Sequence, residues 1–315
     1  MKKLYLCILL LIFIVGITAF NGTKRLLLSD LHVQVLQSFT YGVAVNDEAI
    51  PDSINLVTGP WVGGYWDKPI EDWLQQFQNP DRIKQIPYVN LYVVAGLASF
   101  KKGLADCNVG SKPEKTLCVG GANFIRENKQ ELFQAHKDIA NAIKKNYGTD
   151  KPIFLHFEPD FYQYQEHTQA GGRLTADELS GLMNSWTDMY KELLPNAHLV
   201  MDVSSWNYDL KYWSDKFRNF EYGGMVGRRF NAINEGKDIN GNIPKTYKEL
   251  IKLSGKKMII NDAHGPGGKW LSYNKDWENQ ELVKARFEDG VVAVIQPPVE
   301  IESLLKAYSA SRNEK

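Results

Sequence analysis

Short runs of apolar and β-branched residues, each closed by Gly, Pro, Asn or Asp, recur along the chain. They fall at Ser38 to Asn46, Ile54 to Gly64, Ile86 to Gly96, Pro152 to Phe161, His198 to Asn207, Tyr222 to Phe230, Lys257 to Gly265 and Gly290 to Pro298. Runs of this length between turn formers read as buried strands, so the pattern predicts eight of them. The intervening segments change period. Lys129 to Tyr147 carries Leu132, Phe133, Ala135, Ile139, Ala140 and Ile143 at spacings of three and four, and Gly148 stops it. Thr175 to Leu194 opens with Thr175 as a helix cap and Glu178 three positions on, then places Leu179, Leu182, Met183, Trp186 and Tyr190 on one face. Shorter helices are expected at Ile70 to Phe77, Tyr208 to Asn219, Thr246 to Leu253, Trp277 to Phe287 and Glu300 to Ser309.

Strand and helix alternate almost throughout, which argues for a parallel sheet. Eight such units over roughly 280 residues suit an α/β fold of the (β/α)8 TIM-barrel type, usually ~250 residues. An open doubly wound sheet would alternate too, but no Gly-x-Gly-x-x-Gly follows an early strand and no phosphate loop is present. No cofactor is implied. The longest connection, Ser99 to Asn128, is expected to lie over the ligand end of the barrel.

Ahead of the barrel, Leu4 to Phe20 is almost continuously apolar, behind Lys2 and Lys3 and before Lys24 and Arg25. As a helix it would reach roughly 26 Å, slightly short of a ~30 Å hydrocarbon core. With only Ile17 and Ala19 as a cleavage pattern, both a signal peptide and an uncleaved anchor fit. The expected organisation is a signal or anchor at 1–22, a linker at 23–37 and one barrel domain at 38–315, secreted, periplasmic or anchored outside the cytoplasmic membrane. Membrane contact is expected only through the N-terminal segment. In such a compartment Cys107 and Cys118 are candidates for a disulfide; two free thiols are the alternative. Lys plus Arg equals Asp plus Glu at 37 each, with no long basic run, which argues against a nucleic-acid partner.

Alternate residues of a strand share a face. The strand ends then offer Asn90, Tyr92 and Val94; Phe154, His156 and Glu158; Val200, Asp202, Ser204 and Trp206; Ile260, Asp262 and His264; and Val292, Val294 and Gln296. If these faces point inward, acids, imidazoles and amides converge on one rim, whereas a barrel filled only for stability would carry branched aliphatics there. Glu158, at the tip of the fourth run before Pro159, is the first candidate for general acid and base. A plainer reading makes it a strand-end acid that bonds backbone amides or pairs with an arginine. Glycosidic cleavage usually needs a second carboxyl group, and Asp262, Asp202 and Asp160 compete for that role. His156 and His264 suit the orienting of a carboxylate.

Trp61, Trp66, Trp206 and Trp270 fall at or just past strand ends, with Tyr65, Tyr162, Tyr164 and Tyr273 nearby. Such rings pack on the C–H faces of sugars, or else pack as a lid over the barrel. The four tryptophans and Tyr162, with Asn90, Tyr92, His156, Asp160, Arg228, His264 and Gln296, form the expected substrate-binding set, and carbohydrate is the expected ligand.

Three segments carry a resemblance: HFEPDFYQY from His156, VSSWN from Val203, and GPWVGGYW from Gly59. Through them the chain resembles exported bacterial (β/α)8 proteins related to glycoside hydrolases, over most of residues 38–298. Glu158 looks like the acid/base position of clan-A glycoside hydrolases at the end of strand four. The chain departs from that clan in having Phe157 where Asn is usual, and Asp262 with His264 where a nucleophilic Glu is usual. The resemblance implies hydrolysis of an extracytoplasmic poly- or oligosaccharide by carboxylate acid/base catalysis; no metal is expected. Two other classes compete. One is a carbohydrate-binding barrel without turnover; the other is a metal-dependent ester or amide hydrolase using His156, Glu158, Asp202, Asp262 and His264.

Overall fold

A computed structural model describes residues 40–44, 54–59, 61–63, 70–79, 82, 84–105, 107, 115–166, 172–204, 207, 210–226, 246–263 and 274–297. All belong to a unit spanning Phe39–Lys315. The expected signal or anchor, the expected linker and the last expected helix all fall outside the described residues.

Eight strands occur where the apolar runs predict them. They are β1 (Thr40–Ala44), β2 (Leu56–Thr58), β3 (Ile86–Leu91), β4 (Ile153–Phe157), β5 (Ala197–Asp202), β6 (Phe220–Val226), β7 (Met258–Asn261) and β8 (Val291–Gln296). All neighbours pair in parallel, and β8 returns to β1, closing the barrel in chain order. Closure leaves no free sheet edge. Among the described residues the helices are α1 (Ile70–Gln75), α2 (Val93–Lys102), α3 (Leu117–Glu127), α4 (Lys129–Asn146), α5 (Gln163–Glu166), α6 (Ala176–Leu193), α7 (Leu210–Lys216), α8 (Tyr247–Ser254) and α9 (Gln280–Asp289). Short 3-10 turns at Gln76–Gln78 and Lys275–Glu278 extend α1 and precede α9.

Two expectations are corrected. The third run does not continue as strand to Gly96, because the chain turns into α2 at Val93. The connection from Ser99 to Asn128 is not all loop, since it holds the last turn of α2 and all of α3. An apolar run such as Val93 to Ala98 serves a buried helix as well as a buried strand, and periodicity alone does not separate them. Cys107 and Cys118 form a disulfide that ties residue 107 to the first turn of α3. From there α3 reaches the end of β4: a Cβ on Gly121 would overlap the Tyr164 ring of α5.

The long helices form for the reasons their sequences suggest. α4 buries Leu132, His136, Ile139, Ala140 and Ile143, and α6 buries Leu179, Leu182, Met183, Trp186 and Tyr190. At the head of α6 the Thr175 hydroxyl accepts from the Glu178 amide at 3.2 Å, and the Glu178 carboxylate accepts from the Thr175 amide at 2.8 Å. Arg126 of α3 donates to both Glu178 carboxylate oxygens at 2.8 Å. The Arg126 hydrogen bond, then the Thr175 amide, hold the Glu178 carboxyl down at about 2 against an ordinary 4.5. A lowered folded value means stability that is fully present above the unfolded value and lost as the carboxylate takes up its proton. The melting temperature is therefore expected to fall as pH drops from about 4.5 towards 2, and Arg126→Met to flatten that fall. Identical acid profiles for parent and variant would contradict this account.

Candidate functional site

The orientation of each strand follows from bonds that cross the barrel. Asn261 of β7 donates from Nδ2 to Asn90 Oδ1 of β3 at 3.3 Å, and Asn90 donates to Thr58 Oγ1 of β2 at 3.2 Å. β7 and β3 are not neighbours in the sheet, so this bond runs through the interior. Asn90 and Asn261 therefore face inward. Beneath and beside them Tyr88 of β3 lies 3.0 Å from His156 Nδ1 of β4, and His156 Nε2 lies 3.4 Å from Asp202 Oδ1 of β5. Asp202 Oδ2 accepts from the Asp160 amide at 3.0 Å. The opposite face of the same strands, including Val89, Leu91, Leu155, Phe157, Leu199, Met201 and Ile260, packs with the helices in the main apolar cluster. The interior thus carries two connected polar lines where aliphatics alone would serve stability.

Glu158 does not continue the inward face of β4. Its φ is +43°, a left-handed conformation rare for a residue with a side chain, and it interrupts the alternation that carries Phe154 and His156 inward. The Glu158 amide still donates to Leu91 O at 2.7 Å. Its carboxylate, however, is directed at the start of α2, where Oε1 accepts from the Val93 amide at 2.8 Å and both oxygens lie 3.3 Å from the Val94 amide. Tyr92, the residue at the cap, offers no side-chain bond to those amides. An anion at a helix N-terminus satisfies orphan donors and meets the positive end of the dipole. Behind it stands His136 of α4, with Nε2 3.3 Å from Glu158 Oε1 and its ring 4.4 Å from that of Trp186. Burial, then the Glu158 charge, raises the Tyr190 phenol well above its ordinary value. With Glu158 1% exposed, this is an enclosed anion between sheet and helices.

Asp262 also faces the helices. It follows inward Asn261, so its side chain takes the other face, where Oδ2 accepts from Trp277 Nε1 and Asn274 Nδ2 at 3.1 Å each and from Gln296 at 3.5 Å. Gln296 accepts in turn from the Asn274 amide at 3.1 Å. Gln296 lies on this outer face because the β7 and β8 register shifts, pairing Met258 with Val291 but Ile259 with Ala293. A residue inserted there reverses which alternate positions point inward. Asp262 and Gln296 thus tie the turn Lys275–Glu278 to the barrel wall, and Tyr41 donates to Trp277 O at 3.0 Å from β1.

Of the three expected catalytic carboxylates, then, the structure brings Asp202 to the interior and places Glu158 and Asp262 in separate outer sites. Asp160, left-handed at φ +68°, is half-buried on the turn beside Asp202. Tyr162 is buried in the apolar cluster. Trp61, 9% exposed, packs edge-on against Tyr92 with centroids 5.0 Å apart, as a wall over β2 and β3. Trp66, Trp206, Arg228, His264 and Trp270 lie outside the described residues. Of the metal-binding alternative's five residues, Glu158 and Asp262 take the opposite face of the barrel wall from His156 and Asp202, and His264 lies outside the described residues. Among the described residues no three His, Cys, Asp or Glu side chains are grouped to hold a metal ion.

Sequence reasoning passed over Tyr88, Asn261 and His136. Tyr88 shares parity with Asn90 and was open to the same reading; His136 lies four residues after Leu132 on the apolar face of α4. Asn261 was hidden because the neighbouring position, Asp262, carries the more conspicuous chemistry.

No family model and no curated protein matches the sequence. Solved structures do match the fold. A Bacillus subtilis mannanase, BCman, aligns over 88% of this chain and 84% of its own at 13% identity and a TM-score of 0.50. A ruminal GH26 endo-β-1,4-mannanase aligns over 89% of this chain and 62% of its own, at 10% identity and TM-score 0.50. A β-mannanase from a symbiotic protist of the termite Reticulitermes speratus, solved with a gluco-manno-oligosaccharide, aligns over 91% and 90%, at 9% identity and TM-score 0.53. At these identities the likeness is one of architecture. The chain is a closed (β/α)8 barrel, the architecture that these structures share with it.

Proposed function

We propose that this barrel takes a poly- or oligosaccharide outside the cytoplasm and hydrolyses it with Asp202 and Asp160 as its carboxyl pair. The observation that carries the reading is the placement of Asp202. It alone of the three expected catalytic acids sits in the inward polar layer, and its Oδ2 holds the amide of the turn that bears Asp160. Glycosidic cleavage needs two carboxyl groups, one to protonate the leaving oxygen and one to act as nucleophile or activate water. Glu158 and Asp262 have their carboxylates engaged elsewhere, so neither enters the reaction here. The shared architecture with mannanases supports a sugar ligand, as fold analogy. The Cys107–Cys118 disulfide supports an oxidising compartment.

The test measures turnover and binding together on β-mannan, glucomannan, β-glucan and xylan oligosaccharides. Asp202→Asn and Asp160→Asn are each expected to lower kcat by about 10²-fold or more while glycan affinity stays within about threefold. A parent chain that binds glycan without turning it over would replace this reading with the carbohydrate-binding barrel. Absence of both would end the sugar assignment.

A further inference from the structure

We infer that Tyr88 and His156 are positioning residues that present a protonated imidazole nitrogen, Nε2–H, to Asp202 and so make it the acceptor of the carboxyl pair. The inference rests on the carbohydrate-directed reading of the mouth. His156 is fully enclosed between Tyr88 of β3 and Asp202 of β5. Tyr88 is fully enclosed as well, and burial, then the charge of Asp202, raises its phenol well above the ordinary value. It therefore keeps its proton and must place it. Among the described residues the acceptor in reach is His156 Nδ1, at 3.0 Å.

That single bond sets the tautomer. If Nδ1 carried hydrogen, the ring and the phenol would each bring a donor to the same contact, and the phenol hydrogen would be left buried without an acceptor, which is costly. With Nδ1 accepting, a neutral imidazole has its hydrogen on Nε2. Nε2 lies 3.4 Å from Asp202 Oδ1 but is not aligned with any acceptor. The inference requires the Asp202 carboxylate to turn so that Oδ1 meets this hydrogen while Oδ2 keeps the Asp160 amide. Gly224 of β6 leaves room for the imidazole in this position: a Cβ there would stand 2.9 Å from His156 Cε1 and 3.0 Å from Nε2. Asp202 then receives a donor at each oxygen. A carboxylate so held serves as base or nucleophile, which leaves Asp160, half-buried on its turn, to supply the proton.

The experiment reads the tautomer directly. The full chain is labelled with nitrogen-15 in histidine, and long-range proton–nitrogen correlation spectra distinguish pyrrole-type from pyridine-type ring nitrogens. The His156 signals are assigned by their disappearance in His156→Gln. The expected result is hydrogen on Nε2 in the parent chain, and loss of that preference in Tyr88→Phe. Hydrogen on Nδ1 in the parent overturns the relay, and needs no substrate to do so. On a glycan that the parent hydrolyses, Tyr88→Phe and His156→Gln are expected to lower kcat about tenfold or more with KM within about twofold. An Nε2–H tautomer accompanied by unchanged kcat in both variants overturns the positioning role while leaving the sugar assignment standing.

Discussion

Replacing Glu158 with alanine is expected to lower the unfolding free energy by about 3 kcal/mol, the sum of lost charge-assisted bonds to buried amides and of the favourable helix-end charge. Two amides at the start of α2 lose their acceptor, and no side chain at Tyr92 replaces it. The position is 1% exposed, so water does not readily take over. Glu158 also sits at φ +43°, a conformation that costs an L-residue roughly 1–2 kcal/mol and persists only where the surroundings favour it. The carboxylate is what the left-handed turn secures, and without it the turn loses its reason to hold. Because that turn also aims the Asp160 amide at Asp202, the mouth should loosen with it. Glu158→Gln keeps one oxygen acceptor for the Val93 amide and is expected to cost less, about 1–2 kcal/mol. Urea denaturation of the three proteins measures the difference. Alanine as stable as the parent, with activity abolished, would reverse the assignment and return Glu158 to the chemistry.

The same residue shows where the sequence could be read and where it could not. The eight strands were readable because each apolar run is closed by residues that end pairing, and α6 because Thr175 and Glu178 mark its first turn. The start of α2 was not, since Val93 to Ala98 offers no polar position to reveal a period. Within the site, parity correctly grouped His156, Asp202 and Asn90, whose strands run regularly to their ends. It failed wherever the backbone departs from regular pleating: at Glu158 through a left-handed φ, and at Gln296 through the register shift of β8. At Asp262 the failure had another source, a choice between two adjacent polar residues that only the bond from Asn261 to Asn90 decides. The plainer reading of Glu158, an acid that bonds backbone amides, was available from its place beside Pro159, and the amides of Val93 and Val94 are its partners.

The second large effect is expected at Gly96, where alanine should destabilise the barrel by on the order of 3 kcal/mol, the upper end of ordinary overpacking. A Cβ built on Gly96 would overlap the carbonyl oxygen of Gly63 and stand 2.8 Å from both its carbonyl carbon and its Cα. These are backbone atoms and cannot swing away as a side-chain tip can. The segment that would have to move is itself bonded, with the Val62 amide donating to Asn90 O and the Tyr92 amide to Val62 O, each at 2.8 Å. Displacing it would pull Trp61 off Tyr92 and disturb the strand that carries Asn90 into the interior. Gly181 of α6 provides the opposite case, since a Cβ there meets nothing within 4 Å. In that helix interior Gly181→Ala should stabilise by up to about 1 kcal/mol. One substitution type thus carries opposite signs at two helical positions, and thermal denaturation of both variants measures them. Should Gly96→Ala prove as stable as the parent, the 61–63 segment is not pinned against α2.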